Sequence, residues 1–432
     1  MKKLSTMAIL AVSAASAFAA DYTVVKSGEW YESGVFGDGV TAPVATSEAA
    51  AIDNLSFASS GLSLKLTGGN GGLYFIKNLA GSAAEAQTVE ITTNSIWQEP
   101  RIANITGDEN YRLTLNFGRK GITTDNPGNS FLYTYLSDAS SSSTFSNATV
   151  NIYSGFNANN LSLKNASLNV ERYYANTTTA STFKSLTIDG KSSLSIDGGI
   201  YNGGNIETSA GSSIVIKNAK LNVGYINVSG NMEFTGEKGS LVASGKIRIV
   251  TKDTVLTLHG SELLSGNTSG TVKMSMNFYE SGKVFLGGNE SLGYIATTIA
   301  KSGSKYIDTN KTVTFVLHED TTLFSIDELY KGLNSDYASS LKGTGTNTDG
   351  TEFSWDIKYN FENFKNGVVR IGQTLTEDEL ANQIVVDGWK DFTQNSEGYL
   401  FATQIPEPAT MAFLLGGLAI AFAFMRKTRK GA

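Results

Sequence analysis

The amino-acid sequence predicts an all-β protein, a right-handed parallel β-helix (solenoid) whose stacked coils share one apolar interior. Three observations lead to this fold class. Short runs alternate apolar and polar residues with a period of two. Gly, Asn and Asp residues separate these runs, and one segment recurs along the chain. Such alternation is typical of half-buried strands joined by tight turns. The clearest runs carry apolar residues at Leu161/Leu163, Leu186/Ile188, Leu194/Ile196 and Ile214/Ile216.

The recurring segment supports stacking. Residues 164–170 read Lys-Asn-Ala-Ser-Leu-Asn-Val, and residues 217–223 read Lys-Asn-Ala-Lys-Leu-Asn-Val, an offset of 53. The run at Leu186 begins 25 positions after Leu161. A period in the mid-twenties predicts one coil per repeat, with Asn165 and Asn169 stacked in side-chain ladders against Asn218 and Asn222. An antiparallel β-sandwich stays open as the alternative, because Asp-Gly and Ser-Gly turns also suit hairpins.

Residues 305–404 are richer in aromatic and charged residues, which predicts a less regular C-terminal cap on a solenoid body at 20–304. Solenoid ends need a different sequence to cover the exposed coil. One short helix is predicted from Phe324 to Leu333. A second is predicted from Thr376 to about Val385, because Thr376 and Glu379 have the spacing of a capping box.

The N-terminus has the pattern of a signal peptide over residues 1–19. Lys2 and Lys3 precede a mostly apolar stretch, and Ala17-Phe18-Ala19 fits the small-x-small cleavage pattern. Ala17 and Ala19 are therefore predicted as the cleavage-site residues.

The C-terminus, residues 405–432, has three ordered parts. Pro406-Glu407-Pro408 comes first, residues 409–425 carry no charge, and a basic cluster follows at Arg426, Lys427, Arg429 and Lys430. As a helix, residues 409–425 would span about 25 Å, slightly less than a hydrocarbon core of about 30 Å. Basic clusters stay on the cytoplasmic side, and the prolines prevent the helix from extending backwards. A transmembrane helix is predicted over 409–425. An unprocessed membrane anchor is the alternative to a sorting signal.

This tail resembles the PEP-CTERM sorting domain of Gram-negative exported proteins, over about the last 27 residues. The resemblance implies that Pro406, Glu407 and Pro408 are recognised by an exosortase-type membrane protease, and that the basic cluster is the stop signal. It also implies export by a Gram-negative bacterium, first as a membrane-anchored precursor and then at the cell surface or outside the cell. The body resembles the passengers of autotransporter adhesins. Together they suggest a structural or adhesive surface protein, with extracellular polysaccharide as a candidate partner.

Composition excludes several classes of function. The chain has no cysteine, which rules out disulfides, thiolate metal sites and cysteine nucleophiles. Without the two terminal segments, the body keeps 28 of the 34 basic and 39 of the 40 acidic residues, a net charge near −11. Nucleic-acid binding needs Lys and Arg against phosphates, so no nucleic-acid partner is expected.

The sequence predicts no catalytic residue, metal site or cofactor. His259 and His318 end separate strands, outside any spaced metal-binding motif, and are interpreted as solvent-facing turn residues. The alternative function is a polysaccharide lyase or glycosidase, which would use a pair of carboxylates. Its candidates are Asp189 with Asp197 and Glu319 with Asp320, although turn formation and surface charge explain these residues equally well.

Overall fold

The structure is a computed structural model, and it describes residues 20–43, 51–67, 73–93, 99–120, 133–136, 142–171, 180–235, 241–259, 262–265, 273, 275–330, 340–364 and 368–404. The chain divides into two compact units, residues 1–203 and 204–432, called unit 1 and unit 2 below. Strand β16 (Ile200–Thr208) lies across this division.

Unit 1 contains the strands β1 (Asp21–Val24), β2 (Gly28–Glu29), β3 (Ile52–Phe57), β4 (Ser63–Leu66), β5 (Leu73–Ala80), β6 (Gln87–Thr93), β7 (Glu99–Thr106), β8 (Leu113–Phe117), β9 (Tyr133–Tyr135), β10 (Ser142–Ser146), β11 (Ala148–Ile152), β12 (Gly155–Lys164), β13 (Ser167–Glu171), β14 (Ser181–Ile188) and β15 (Ser193–Asp197). One sheet has the order β1-β3-β5-β7-β10-β12-β14, with β9 beside β7 and β12, and the other has the order β2-β4-β6-β8-β11-β13-β15. The chain thus alternates between two sheets.

Unit 2 contains β17 (Ser213–Lys217), β18 (Lys220–Val228), β19 (Asn231–Thr235), β20 (Leu241–Ile249), β21 (Val255–His259), β22 (Glu262–Ser265), β23 (Ser275–Phe278), β24 (Gly282–Gly287), β25 (Glu290–Thr297), β26 (Lys301–Ser302), β27 (Lys305–Tyr306), β28 (Thr309–Leu317), β29 (Leu323–Leu329), β30 (Lys342–Thr346), β31 (Glu352–Glu362), β32 (Val368–Ile371), α1 (Glu377–Gln383), β33 (Ile384–Val386), β34 (Trp389–Gln394) and β35 (Leu400–Gln404). Its sheets have the orders β18-β20-β23-β25-β29-β32 and β17-β19-β21-β24-β28-β31-β30.

The sheets are parallel, as the solenoid prediction requires. Strands of unit 1 pair in parallel throughout the described registers, for example β11 with β13 and β12 with β14. Unit 2 adds antiparallel pairs only where β26 meets β27, β30 meets β31 and β34 meets β35, among the described strands. The alternative of an antiparallel sandwich is therefore wrong for these strands. Leu161 lies opposite Leu186, which confirms the predicted register between these two runs.

Apolar residues at every second position form columns that run through successive coils. In the unit 1 column named below, each residue is at most 1% exposed, and burial of such a side chain contributes about 1.5–3 kcal/mol. Because each coil covers the apolar face of its neighbour, the core is continuous within the unit. One column of unit 1 consists of Val89, Leu115, Val150, Leu168 and Leu194.

Asparagine forms the corners between strands and also the ladders beside them. Asn147, Asn165 and Asn218 have left-handed φ angles of 51°, 49° and 51°, a conformation that Asn tolerates better than most residues. The recurring Lys-Asn-Ala segment therefore encodes a corner. The Asn165 amide donates to Asn147 over 2.9 Å, so the predicted ladder exists, but its partner is Asn147 rather than Asn218.

A second ladder runs along the outer face of unit 1. The Asn169 amide donates to Asn151, and the Asn151 amide donates to Asn116, each over 2.8 Å. The strand registers place these residues side by side on β13, β11 and β8. Asn169 thus stacks with Asn151, not with the expected Asn222.

The C-terminal helix predictions had opposite outcomes. Helix α1 is confirmed: Thr376 is its N-cap, and the Thr376–Glu379 capping box is complete. The helix ends at Gln383, where β33 begins. The predicted helix from Phe324 to Leu333 is wrong over its described part, because Leu323–Leu329 is strand β29, paired in parallel with β25 and β32. A short apolar run does not distinguish a buried strand from a helix.

Candidate functional site

The predicted sorting residues lie outside the described residues. They are the signal-peptide residues Ala17 and Ala19, the element Pro406, Glu407 and Pro408, the predicted helix 409–425, and the basic cluster Arg426, Lys427, Arg429 and Lys430. Within the ranges that the structure describes, no helix combines the length and the apolar character that a membrane crossing needs.

Asp189, in the first predicted carboxylate pair, is held by hydrogen bonds at a corner of unit 1. The Asp189 carboxylate accepts hydrogen bonds from the backbone N–H of Asn165 at 3.0 Å, from that of Lys191 at 3.0 Å and from the Ser192 hydroxyl at 2.6 Å. These bonds hold a corner, which confirms the turn-forming interpretation of Asp189. Asp197 ends β15, opposite Glu171 in the strand register.

Asp320, from the second predicted pair, belongs to a cluster in unit 2 that also contains two histidines. Strands β21, β24 and β28 pair in parallel, and the register places His259 opposite Gly287. Leu286 lies opposite Leu317, so the next residue, His318, falls on the same row as Gly287. Residues two coils apart on one row are separated by about 9–10 Å. The imidazole rings of His259 and His318 nevertheless lie 5.5 Å apart, because Gly287 between them has no side chain.

Asp320 joins the two histidines. Its Oδ2 lies 2.7 Å from Nε2 of His259, and its Oδ1 lies 2.8 Å from Nδ1 of His318. The backbone N–H of Gly288 donates to Oδ1 over 2.9 Å. The carboxylate therefore bridges two histidines that are 59 positions apart in the sequence. The neighbouring Glu319 is outside this group.

The surroundings keep Asp320 ionised. The hydrogen bond with His259, followed by the backbone hydrogen bond from Gly288, holds the pKa of the Asp320 carboxyl well below its usual range. The cluster therefore combines one fixed negative charge with two imidazoles at the surface. Hydrogen bonding and cation binding are the chemistry that this arrangement can supply.

A hollow of about 510 Å³ lies beside the cluster on the outer face of β19, β21, β24 and β28. Its floor is partly apolar, since Phe285 is 36% exposed there. An exposed aromatic ring next to polar side chains can pack against an apolar ligand face. The lining includes Glu233, Thr257, His259, Phe285, Val316 and His318.

The two histidines lie where the sequence predicted them, but their contact through Asp320 was not predicted. Both lie exposed at strand ends, as expected. One sequence signal could have indicated this contact. Gly287 lies about one coil after His259 and about one coil before His318, and Asp320 follows His318 by two positions. Coil lengths vary, so this signal becomes readable only when the strand register is known.

A comparison with protein-family models, with curated proteins and with solved structures finds no match for this chain.

Proposed function

We propose that this chain is an exported, surface-associated structural or adhesive protein, built as a right-handed parallel β-helix with a less regular C-terminal cap. The observation that carries the proposal is the ladder Asn116–Asn151–Asn169 on the outer face of unit 1. It gives the surface a regular row of amides at the spacing of the strands, about 4.8 Å.

A row of amides suits a polymer of repeating hydroxyl groups. Each Asn amide offers two N–H donors and a carbonyl with two lone pairs, and a ladder bond uses one donor and one lone pair. The ladder lies on the outer face of the sheet, so its remaining hydrogen-bonding capacity is available to an extracellular polysaccharide. The negative charge of the body favours a neutral polysaccharide over an acidic one, because like charges repel.

Delivery to the surface is the second part of the proposal. The precursor is held by the helix 409–425, with the basic cluster on the cytoplasmic side, and an exosortase-type membrane protease acts at Pro406-Glu407-Pro408. The order of the three parts of the tail supports this route. The predicted signal peptide supports it independently.

The second candidate function is a β-helix enzyme acting on polysaccharide. The hollow beside Glu233 and Phe285 favours it. Against it, the Asp189 and Asp320 carboxylates are hydrogen-bonded to groups of the protein itself. Each predicted pair, Asp189 with Asp197 and Glu319 with Asp320, therefore contains a carboxylate that is already committed. The structural or adhesive function is therefore preferred.

The sorting proposal is tested by intact mass and location of the protein from its native cell envelope. The comparison is a variant with Pro406→Ala, Glu407→Ala and Pro408→Ala. Loss of about the last 25 residues in the wild type, but not in the variant, supports sorting. A wild-type mass that extends to Ala432 overturns it in favour of a plain anchor.

The adhesive proposal is tested by co-sedimentation of the mature protein with an insoluble neutral glucan, together with an assay for released reducing ends. We expect retention without release, and weaker retention for a variant with Asn116→Ala, Asn151→Ala and Asn169→Ala. A matched control replaces the exposed Asn231 and Asn310 instead. Released reducing ends would support the enzyme, and absence of retention contradicts adhesion.

A further inference from the structure

We propose that His259, His318 and Asp320 form a binding site for a divalent transition metal such as Zn²⁺. The site is separate from the Asn ladder and independent of the proposed function. Among the described residues, these three form the one group in which at least three ligand-type side chains converge, with their ligand atoms all within 4.8 Å of one another.

The donor atoms match the chemistry of zinc. Imidazole nitrogen and carboxylate oxygen are common zinc ligands, at about 2.0–2.2 Å from the ion. In a tetrahedral site, such donors lie about 3.3 Å apart. The distances from Asp320 to His259 and His318 are 2.7 and 2.8 Å, so the ion requires each pair to open by about half an ångström. Exposed side chains can make that adjustment through small rotations.

The fold brings the ligands together before any ion binds. His318 directly follows β28, and its backbone N–H donates to Leu286 over 2.7 Å. Gly288 fixes the Asp320 carboxylate, and Gly287 leaves the space through which His259 reaches it. A site held by the backbone of three coils loses little conformational freedom on binding, and such preorganisation favours affinity.

The ion can reach the site and keep an open position. The side chains of His259, His318 and Asp320 are 49%, 57% and 44% exposed, so solvent reaches all three. Three protein ligands leave a fourth tetrahedral position for water, as in zinc sites that are not purely structural.

Composition makes the site unusually easy to test. The whole chain contains two histidines and no cysteine, so imidazole and thiolate ligands for zinc occur nowhere else in it. An untagged protein should therefore bind Zn²⁺ with a stoichiometry of one per chain. Carboxylates elsewhere prefer Ca²⁺ and Mg²⁺ and should not compete strongly for zinc.

The experiment uses untagged full chain, stripped with a chelator and titrated with ZnCl₂ by calorimetry. Long-range ¹H–¹⁵N spectra report on the two imidazoles. We expect one saturable site, simultaneous shifts of both imidazoles, and at least tenfold weaker binding for His259→Ala and for His318→Ala. Glu319→Gln, which removes the adjacent carboxylate outside the group, should stay within twofold of the wild type.

Two results would overturn the proposal. One is the absence of a saturable one-to-one heat with Zn²⁺. The other is equal affinity in wild type and both histidine variants, which would mean that scattered carboxylates bind the ion. Co²⁺ provides a second readout, because a tetrahedral site with imidazole ligands gives visible absorption, and this absorption should disappear in His318→Ala while the fold, measured by circular dichroism, is unchanged.

Discussion

His259 lies directly over Gly287 on the neighbouring coil, so closely that a Cβ atom on Gly287 would overlap the imidazole ring. The contact involves an exposed, rotatable side chain on one side and a residue without a side chain on the other. The absence of one methyl group therefore determines whether His259 can reach Asp320.

The first prediction concerns Gly287→Ala. The new methyl group should push the His259 ring away and break its hydrogen bond to Asp320, with little loss of stability, because exposed His259 can move. We expect a change in free energy of unfolding below about 0.5 kcal/mol. Zinc affinity should fall at least tenfold. Unaltered imidazole signals in ¹H–¹⁵N spectra would contradict the steric role of Gly287.

The second prediction concerns Lys311, a buried lysine on β28 that is 6% exposed. Its ammonium donates to the carbonyls of Tyr279 over 2.6 Å and Thr298 over 2.5 Å. Lys311→Met would leave both carbonyls without this donor, at a cost of about 1–3 kcal/mol in the free energy of unfolding. Chemical denaturation measures it. The exposed Lys342 provides the control, since Lys342→Met should change little, and equal effects of the two variants would contradict the prediction.

The third prediction concerns alkaline pH. Burial raises the pKa of Tyr330 to about 12, and its hydroxyl has no hydrogen-bond partner in the described structure. The unfolded chain ionises this group near pH 10, so the folded state holds more protons between about pH 10 and 12. Stability should fall across that window by about 2 kcal/mol more in the wild type than in Tyr330→Phe. Thermal unfolding between pH 10 and 12 measures this difference, with the exposed Tyr279→Phe as the control variant.

The fourth prediction concerns the Asn116–Asn151–Asn169 ladder. Asn151→Ala removes two hydrogen bonds, the one that Asn151 donates to Asn116 and the one that it accepts from Asn169. Each contributes about 0.5–1.5 kcal/mol to the free energy of unfolding. We expect a loss of about 1–2 kcal/mol in urea denaturation. Asn310→Ala, at an exposed strand position, is the matched comparison and should have a much smaller effect.

The fifth prediction concerns the N-terminus of α1. Thr376→Ala removes the hydroxyl that accepts from the Glu379 N–H over 3.2 Å, at a cost of about 1 kcal/mol. Amide exchange over Glu377–Gln383 should become faster. Thr376→Ser keeps the cap and should restore slow exchange; equally fast exchange in both variants would show that the cap is unimportant.

Local patterns in the sequence were sufficient for the alternating strands such as β12 and β14, for the corner at Asp189 and for helix α1. Alternation at Leu161 and Leu186 depends on burial of one face, and the capping box of Thr376 depends on four consecutive residues. Both are short-range effects, so they can be predicted from the sequence without knowledge of the fold. The helix predicted at Phe324 failed because pairing with strands on both sides determined its conformation, and pairing is a long-range effect.

The His259–His318–Asp320 cluster could not be predicted for the same reason. The cluster depends on the lengths of two successive coils and on the presence of glycine, which has no side chain, at position 287. Asn165 was likewise recognised as a ladder residue, but its partner was wrong. Asn165 leads from β12 into β13, whereas Asn218 leads from β17 into β18, which is the other kind of corner in the chain's alternation between sheets. The stacked neighbour of Asn165 is Asn147, 18 positions earlier. A local stretch of sequence therefore indicates whether a segment is a strand or a helix better than it indicates which residues of neighbouring strands lie opposite one another.

The unequal coil lengths have a consequence for the order of folding. In unit 1 the Asn147–Asn165 contact closes a segment of 18 positions, whereas in unit 2 the contact of Asp308 with Ser354 closes one of 46. Closing the longer segment costs about 0.8 kcal/mol more in chain entropy, before stiffness is considered. Parallel pairing offers no hairpin as a local starting point, so the shortest coil is the natural nucleus. The corner at Asn147 should therefore be structured earlier in the folding of unit 1 than the long-range coils around it.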